Sequence, residues 1–238
     1  MNKQFNWGGS RWEGTRAASK WHFDTTRPPE PGADSFTYVG RFTTDFADVV
    51  ERYLPRADSV GWGTRNKEKI PGELYTASAE EADLIRAGAN PKMEIYARVA
   101  AEDEPVFNAM AAVLGIDDPQ IKFHNQKTGQ VLVWHIDNFA ARAERENSFK
   151  VTNLDTHPEQ IRRFAIMLAD WQPGQIWQIG NATWTHWKSG DCITWEWQDM
   201  PHATCNMGWW DRPLCQITGY VTPKTQAILN NPGQTFHI

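Results

Sequence analysis

Four side chains carry the strongest chemical signal in this sequence of 238 residues: His135, Asp137, His202 and Arg212. The triplet His135–Ile136–Asp137 lies in a run, Gln130 to Asp137, that reads as a strand. Alternate residues of a strand share a face. His135 and Asp137 are therefore predicted to point one way with Val131 and Val133, and Trp134 and Ile136 the other. An imidazole and a carboxylate so placed can bind one metal ion. A second imidazole would complete a two-His, one-carboxylate face, which leaves positions on an octahedral Fe(II) open for a co-substrate and oxygen. His202 is the chosen third ligand. It opens a strand after a turn at Gln198–Pro201, and that strand is expected to be the hairpin partner of Cys192 to Trp197. His186, between Trp184 and Trp187, is the competitor and reads as a loop residue. His124 reads as a core or supporting histidine, and His157 and His237 as solvated. A second H-x-D, His22–Phe23–Asp24, sits in a stretch without strand character and reads as an ordinary polar pair.

Arg212 follows His202 by ten residues. Period-2 alternation puts Arg212, Leu214, Gln216 and Thr218 on one face, where a buried guanidinium needs an anionic partner. The carboxylate of a small ligand would serve as a bidentate one. Thr218 is expected to add a hydroxyl to the same carboxylate. Arg142 and Arg145 on a polar insertion spanning residues 139–162, with Arg163 just after it, are candidates for holding an anionic group of a substrate. The insertion falls between the ligands, a natural place for a lid.

These side chains need a framework. Thr44 is predicted to cap a helix carrying Phe46, Val49, Val50, Tyr53 and Leu54, ended by Pro55. Ser78 and Glu81 form a capping box for a helix ending at Gly88. Met93 to Ala100 reads as a strand, and Asp103 starts a helix closed by Gly115. Ile121–Gln126 and Gln130–Asp137 flank Lys127–Thr128–Gly129 and read as a hairpin. Phe164–Leu168, Ile176–Ile179, Cys192–Trp197, His202–Asn206 and Leu214–Val221 are further short strands. Helices first and close-spaced strands after indicate an α+β chain with a sandwich or barrel core. A single domain is expected over 1–238: a helical and irregular part (1–119), a β core (120–222) and a C-terminal tail (223–238).

Composition narrows the class. Hydrophobic residues make up 40% and charged residues 22%, which fits a globular chain with one well-buried core. A net charge of −5 makes nucleic acid an unlikely partner class. No apolar run is long enough for a bilayer, so no membrane association is expected. The first residues lack the apolar stretch of a signal peptide, and three cysteines argue against a disulfide framework; a cytoplasmic location is the expectation. Thirteen tryptophans, many between Trp171 and Trp210, suggest flat side chains on a sheet, as packing or as a pocket wall.

The joint order of His135-x-Asp137, Gly190–Asp191, Pro201–His202, Asn206 and Arg212 resembles the β core of the Fe(II)- and 2-oxoglutarate-dependent oxygenases, over residues 120–222. The stretch from Arg163 through Asp170–Trp171 to Arg212 is loosely similar to the aspartyl/asparaginyl hydroxylase-type and small phage or bacterial members. The resemblance implies a double-stranded β-helix, jelly-roll or cupin-like, with N-terminal helices packed on the sheet. It implies iron bound by His135, Asp137 and His202, and the C5 carboxylate of 2-oxoglutarate held by Arg212 with help from Thr218. Asn125 or Gln130 would touch the C1 carboxylate. With O2, such a site would hydroxylate an unactivated C–H bond of a small molecule or amino-acid side chain. Asp137 separates the chain from the halogenating members, which replace the carboxylate. Thr218 stands where the nucleic-acid repair members have a second arginine, and Pro213–Leu214 replaces the Arg-x-Ser of the plant-type branch. Two other readings use the same residues: a cupin-type metalloenzyme without 2-oxoglutarate, and a non-catalytic, tryptophan-rich carbohydrate-binding β-sandwich.

Overall fold

A computed structural model describes residues 36–60, 97–135, 161–180, 182–196, 200 and 202–238. The His22–Asp24 pair, the helix expected from Ser78 to Gly88, Asp137, His157, and Arg142 and Arg145 with most of their insertion lie outside these residues. In chain order the elements are β1 (Thr37–Thr43), α1 (Ala47–Val60), β2 (Ala97–Ala100), α2 (Pro105–Leu114), β3 (Ile116–Gln126), β4 (Gln130–His135) and β5 (Ile161–Met167). There follow β6 (Gln175–Ile179), β7 (Ala182–Trp184), β8 (Asp191–Thr194), β9 (His202–Asn206), β10 (Arg212–Val221), α3 (Pro223–Leu229) and β11 (Gln234–His237).

The strands form two sheets, one in the order β11-β1-β8-β5-β10-β3-β2 and one in the order β4-β9-β6-β7. Strands next to each other in sequence are repeatedly in different sheets: β3 and β4, β5 and β6, β8 and β9, β9 and β10. The chain thus winds around a common interior, and the core is a double-stranded β-helix. This topology corrects two local expectations. β3 and β4 are not a hairpin, because β3 pairs with β10 and β2 whereas β4 pairs with β9. β9 is likewise not the hairpin partner of β8, which pairs with β1 and β5. The Lys127–Gly129 turn exists, with Gln130 N donating to Lys127 O at 3.0 Å and Gly129 at φ 79°. A turn signal dictates chain reversal; it does not dictate that the flanking strands stay bonded.

The larger sheet is buried on both faces. On β10, Cys215 and Ile217 face one cluster with Ile121, Phe123, Phe164, Ile166 and Cys192, and the helices cover it. α1 supplies Phe46, Val49, Tyr53 and Ala57 at helical spacing, and α2 supplies Phe107, Met110, Ala111 and Leu114. The expected packing of N-terminal helices on the sheet is therefore present. On the other face Leu214, Ala165, Met167 and Ile193 meet Trp177, Ile179 and Trp184 of the smaller sheet. A strand buried on both sides loses the alternation of a half-exposed one, and β10 reads as an almost unbroken buried run.

Several boundaries differ from the sequence reading. α1 passes through Pro55. The proline is on the exposed side, so the Glu51 carbonyl it cannot pair is open to water. Asp45 rather than Thr44 caps this helix, accepting from Ala47 N at 2.9 Å. Glu104 rather than Asp103 caps α2, accepting from Val106 N, and Gly115 closes it at φ 70° as expected. Ile161 and Arg162, assigned to the insertion, belong to β5. The C-terminal "tail" is structured: Thr222 and Thr225 form a capping box for α3, and β11 adds to β1 in parallel.

Candidate active site

The site lies between the two sheets. β9 alternates, so His202, Thr204 and Asn206 are buried and Ala203 and Cys205 are less so. β10 sends Arg212, Leu214 and Gln216 toward the same interior from the opposite sheet. A cavity of about 40 Å³ is lined by His202, Thr204, Leu132 and Trp177 on one side and by His124, Gln126, Arg163, Arg212, Leu214, Gln216 and Trp195 on the other.

β9 also fixes the position of the first ligand candidate. β4 pairs antiparallel with β9, with Val131 opposite Cys205, Leu132 opposite Thr204 and His135 opposite His202. The register shifts between Leu132 and His135. This irregularity puts one more residue on β4 than on β9 between those two pairs, so the regular pairing expected of an unbroken strand does not hold there. Bulges of this kind are frequent beside functional sites, where they re-aim a side chain. The two histidines far apart in sequence are thereby brought to one rung of the ladder. Asp137 lies outside the described residues, among which no group of three His, Cys, Asp or Glu could hold a metal.

His202 is 3% exposed. Its Nδ1 lies 3.3 Å from the Met200 carbonyl, an acceptor, so Nδ1 carries a proton and donates. That is the arrangement a metal-binding imidazole uses, with a carbonyl fixing the ring from behind. The Trp195 ring packs on it at 5.0 Å.

Arg212 is 4% exposed, and its guanidinium carbon sits 5.3 Å from the Trp177 ring centre and 6.0 Å from that of Trp187. The connection leading into it is tied down by buried amides. Asn206 Nδ2 donates to Gln126 O and to Trp210 O, both at 2.7 Å, and its Oδ1 accepts from Gly208 N at 3.1 Å. Gln175 Nε2 donates to the Trp210 and Asp211 carbonyls. Gly208 is required for the close approach: a Cβ there would meet Pro173 O at 2.2 Å.

A second guanidinium enters farther along the cavity. Arg163 is 9% exposed, and its Nε donates to Thr218 Oγ1 at 3.2 Å. The Gln216 amide takes the orientation in which its nitrogen donates to His124 Nε2 at 2.9 Å and its oxygen accepts from Arg163 Nε at 2.8 Å. His124 is thus a buried, neutral, supporting histidine of the cavity wall.

Of the residues expected at the site, His202, Arg212 and Arg163 meet in one cavity, with His135 at the adjoining rung. Thr218 does not join Arg212. Six residues along a strand is roughly 20 Å, and its hydroxyl serves Arg163 instead. Asn125 faces away from the cavity and donates to Asp211 Oδ2 at 2.9 Å. Its neighbours in the strand, His124 and Gln126, line the cavity, as alternation requires. Gln130 caps the turn, accepting from Lys127 N at 2.7 Å, and does not line the cavity. His186, the competing ligand, is stacked on Trp171 at 4.1 Å away from this cavity. Sequence reasoning missed Gln126 and Thr204 as wall residues, whereas it placed Gln216 on the Arg212 face and gave the tryptophans as packing or a pocket wall. The period-2 pattern of β3 and β9 could have supplied Gln126 and Thr204.

No protein-family profile and no curated protein matches the chain. Solved structures do. It is similar to a non-heme monooxygenase, ThoJ, in its nickel complex, at 19% identity over 80% of this chain and 74% of that one, with a TM-score of 0.40. It is similar to SnoN, a non-heme alpha-ketoglutarate-dependent epimerase from nogalamycin biosynthesis, at 12% identity over 84% and 85%, with a TM-score of 0.42. A prolyl-4-hydroxylase of Pseudomonas putida matches at 13% identity over 55% and 71%, with a TM-score of 0.36. Among the described residues no helix is long and apolar enough to cross a membrane.

Proposed function

We propose that the chain is an Fe(II)- and 2-oxoglutarate-dependent oxygenase that hydroxylates an unactivated C–H bond of a small molecule or amino-acid side chain. The observation that carries this reading is that His202 and Arg212, on different sheets, line one buried cavity, with His135 on the rung opposite His202. A cavity lined by an imidazole and a buried cation suits a metal ion and an anionic chelator together.

In this reading His135, Asp137 and His202 hold iron, which supplies oxygen activation when bound. Arg212 holds the C5 carboxylate of 2-oxoglutarate, and the Met200 carbonyl keeps the His202 ring oriented. Trp177, Trp187 and Trp195 exclude water from the oxoacid. Arg163, held by Thr218 and Gln216, offers a guanidinium to an anionic group of the substrate; Arg142 and Arg145 are proposed to assist from the insertion. The cupin alternative without 2-oxoglutarate offers Arg212 no ligand carboxylate. The carbohydrate-binding alternative needs a platform of exposed rings; Trp177, Trp184, Trp187 and Trp195 are buried, and it would have to rest on Trp209 and Trp210, which are exposed.

The test is to incubate the purified chain with Fe(II), ascorbate and 2-oxoglutarate and to measure succinate, first alone and then with free amino acids. Succinate release that needs both iron and 2-oxoglutarate supports the proposal. A chain that binds neither refutes it.

A further inference from the structure

The walls of the cavity contain two donors that the reading above leaves unused. Trp177 is 5% exposed and Trp195 2%. The Nε1 of each is fully buried and has no hydrogen-bond partner among the described residues. Buried indole N–H groups ordinarily find an acceptor, and leaving one unsatisfied costs on the order of a several-fold to hundredfold population penalty. Both rings line the cavity of about 40 Å³, and two buried, unpaired donors in its wall point to an occupant.

Their surroundings define it. The Trp195 ring packs on His202 at 5.0 Å, Trp177 meets Trp195 edge-on at 5.4 Å, and the Arg212 guanidinium carbon sits 5.3 Å from Trp177. The two indoles thus bridge the imidazole end and the cationic end of the site. An indole N–H donates and never accepts. Its partner must therefore offer oxygen lone pairs, and Arg212 selects for negative charge.

We propose that Trp177 and Trp195 are ligand donors: their N–H groups bind carboxylate or keto oxygens of the acid that Arg212 anchors. The identity of that acid as 2-oxoglutarate rests on the function proposed above; the donor role does not. The buried indoles make the site selective for an acceptor-only group over an alcohol or amine of the same size.

The test uses the 15N-labelled full chain with Zn(II) in place of iron. Indole N–H resonances are followed while 2-oxoglutarate is added, with binding measured in parallel by calorimetry. Trp177→Phe and Trp195→Phe assign the two resonances. Both are expected to move downfield to saturation while those of Trp209 and Trp210, which are exposed, stay in place. Each variant is expected to weaken binding by about tenfold. If 2-oxoglutarate binds with neither resonance moving and both variants bind as tightly as the parent, the donor role is overturned and the oxygenase reading stands. If 2-oxoglutarate does not bind, that reading falls, and succinate, malonate and oxalate are added instead. Movement of the pair with any of them supports the donors; no movement with all of them overturns the donors too. If a variant fails to fold, crystals of the parent zinc form with the bound acid decide. Nε1 to oxygen distances within about 3.2 Å support the role and longer ones overturn it.

Discussion

Replacing Arg212 by methionine separates a ligand-binding cation from a structural one. Methionine fills most of the volume of the arginine stem and keeps apolar contact with Trp177 and Trp187, whose rings lie 5.3 Å and 6.0 Å from the guanidinium carbon. What is lost is the charge and its fork of donors. Removing one partner of a buried ion pair costs about 3–5 kcal/mol, because the other charge is left behind. If Arg212 anchors a carboxylate, 2-oxoglutarate should therefore bind roughly two hundred to several thousand times more weakly to Arg212→Met. Without the acid the loss is confined to what Arg212 contacts within the fold, including Trp177 and Trp187, whose apolar contact methionine keeps, so the melting temperature of the empty protein should fall by less than that of the acid-bound form. Arg212→Lys keeps charge without the planar fork and should fall between. The assay is calorimetry with 2-oxoglutarate on the Zn(II)-loaded chain, together with thermal melting with and without the acid. Binding by Arg212→Met within tenfold of the parent would refute the assignment. So would a drop of more than about 10 °C in the empty protein, which would mark Arg212 as a structural residue.

Asn206→Ala removes three hydrogen bonds, to the Gln126 and Trp210 carbonyls and from Gly208 N, of which the Trp210 carbonyl keeps its bond from Gln175; a loss of about 2–4 kcal/mol in chemical denaturation is expected, with weaker 2-oxoglutarate binding because Arg212 follows that connection. Tyr53 and Tyr38 have hydroxyls pushed up to about 12 by burial first and then by the carboxylates of Asp103 and Asp191. Absorbance at 295 nm should show an ionisation about there in the folded chain that Tyr38→Phe and Tyr53→Phe each reduce. The unfolded chain releases these protons near the ordinary value of 10.0. Stability from these groups is therefore complete below that value and declines as pH climbs toward 12, and Tyr53→Phe should flatten the decline. Burial raises the Cys192 and Cys215 thiols well above their ordinary value, whereas Cys205 is only half-buried. A thiol reagent should label one cysteine in the native chain and three in denaturant; more than one native thiol would contradict the packing of β8 and β10.

Legibility followed the range of the interaction. The helical spacing of α1 and α2, the Gly115 stop of α2 and the strand positions of β5, β6, β9 and β10 were readable, because each depends on local periodicity or on a local stop signal. Strand partners were not. Lys127–Gly129 looks like a hairpin turn from either side, and only the competing pairs β3–β10 and β4–β9 reveal that the chain changes sheets there. Thr218 and Asn125 failed for different reasons. Thr218 is on the right face but too far along the strand, and Asn125 is one residue out of phase with His124 and Gln126.

By itself the sequence determined which side chains were chemically capable: two histidines, an aspartate two residues from one of them, and an arginine ten residues after the other. It also determined a core rich enough in apolar residues to bury them. Only the tertiary structure decided which of them meet. The rung joining His135 to His202 includes a register shift that no alternation rule contains, and Trp177 reaches Arg212 across the gap between two sheets. Local propensity acts over a few residues, whereas the cavity is set by which sheet each strand joins, a choice made by packing over the whole core.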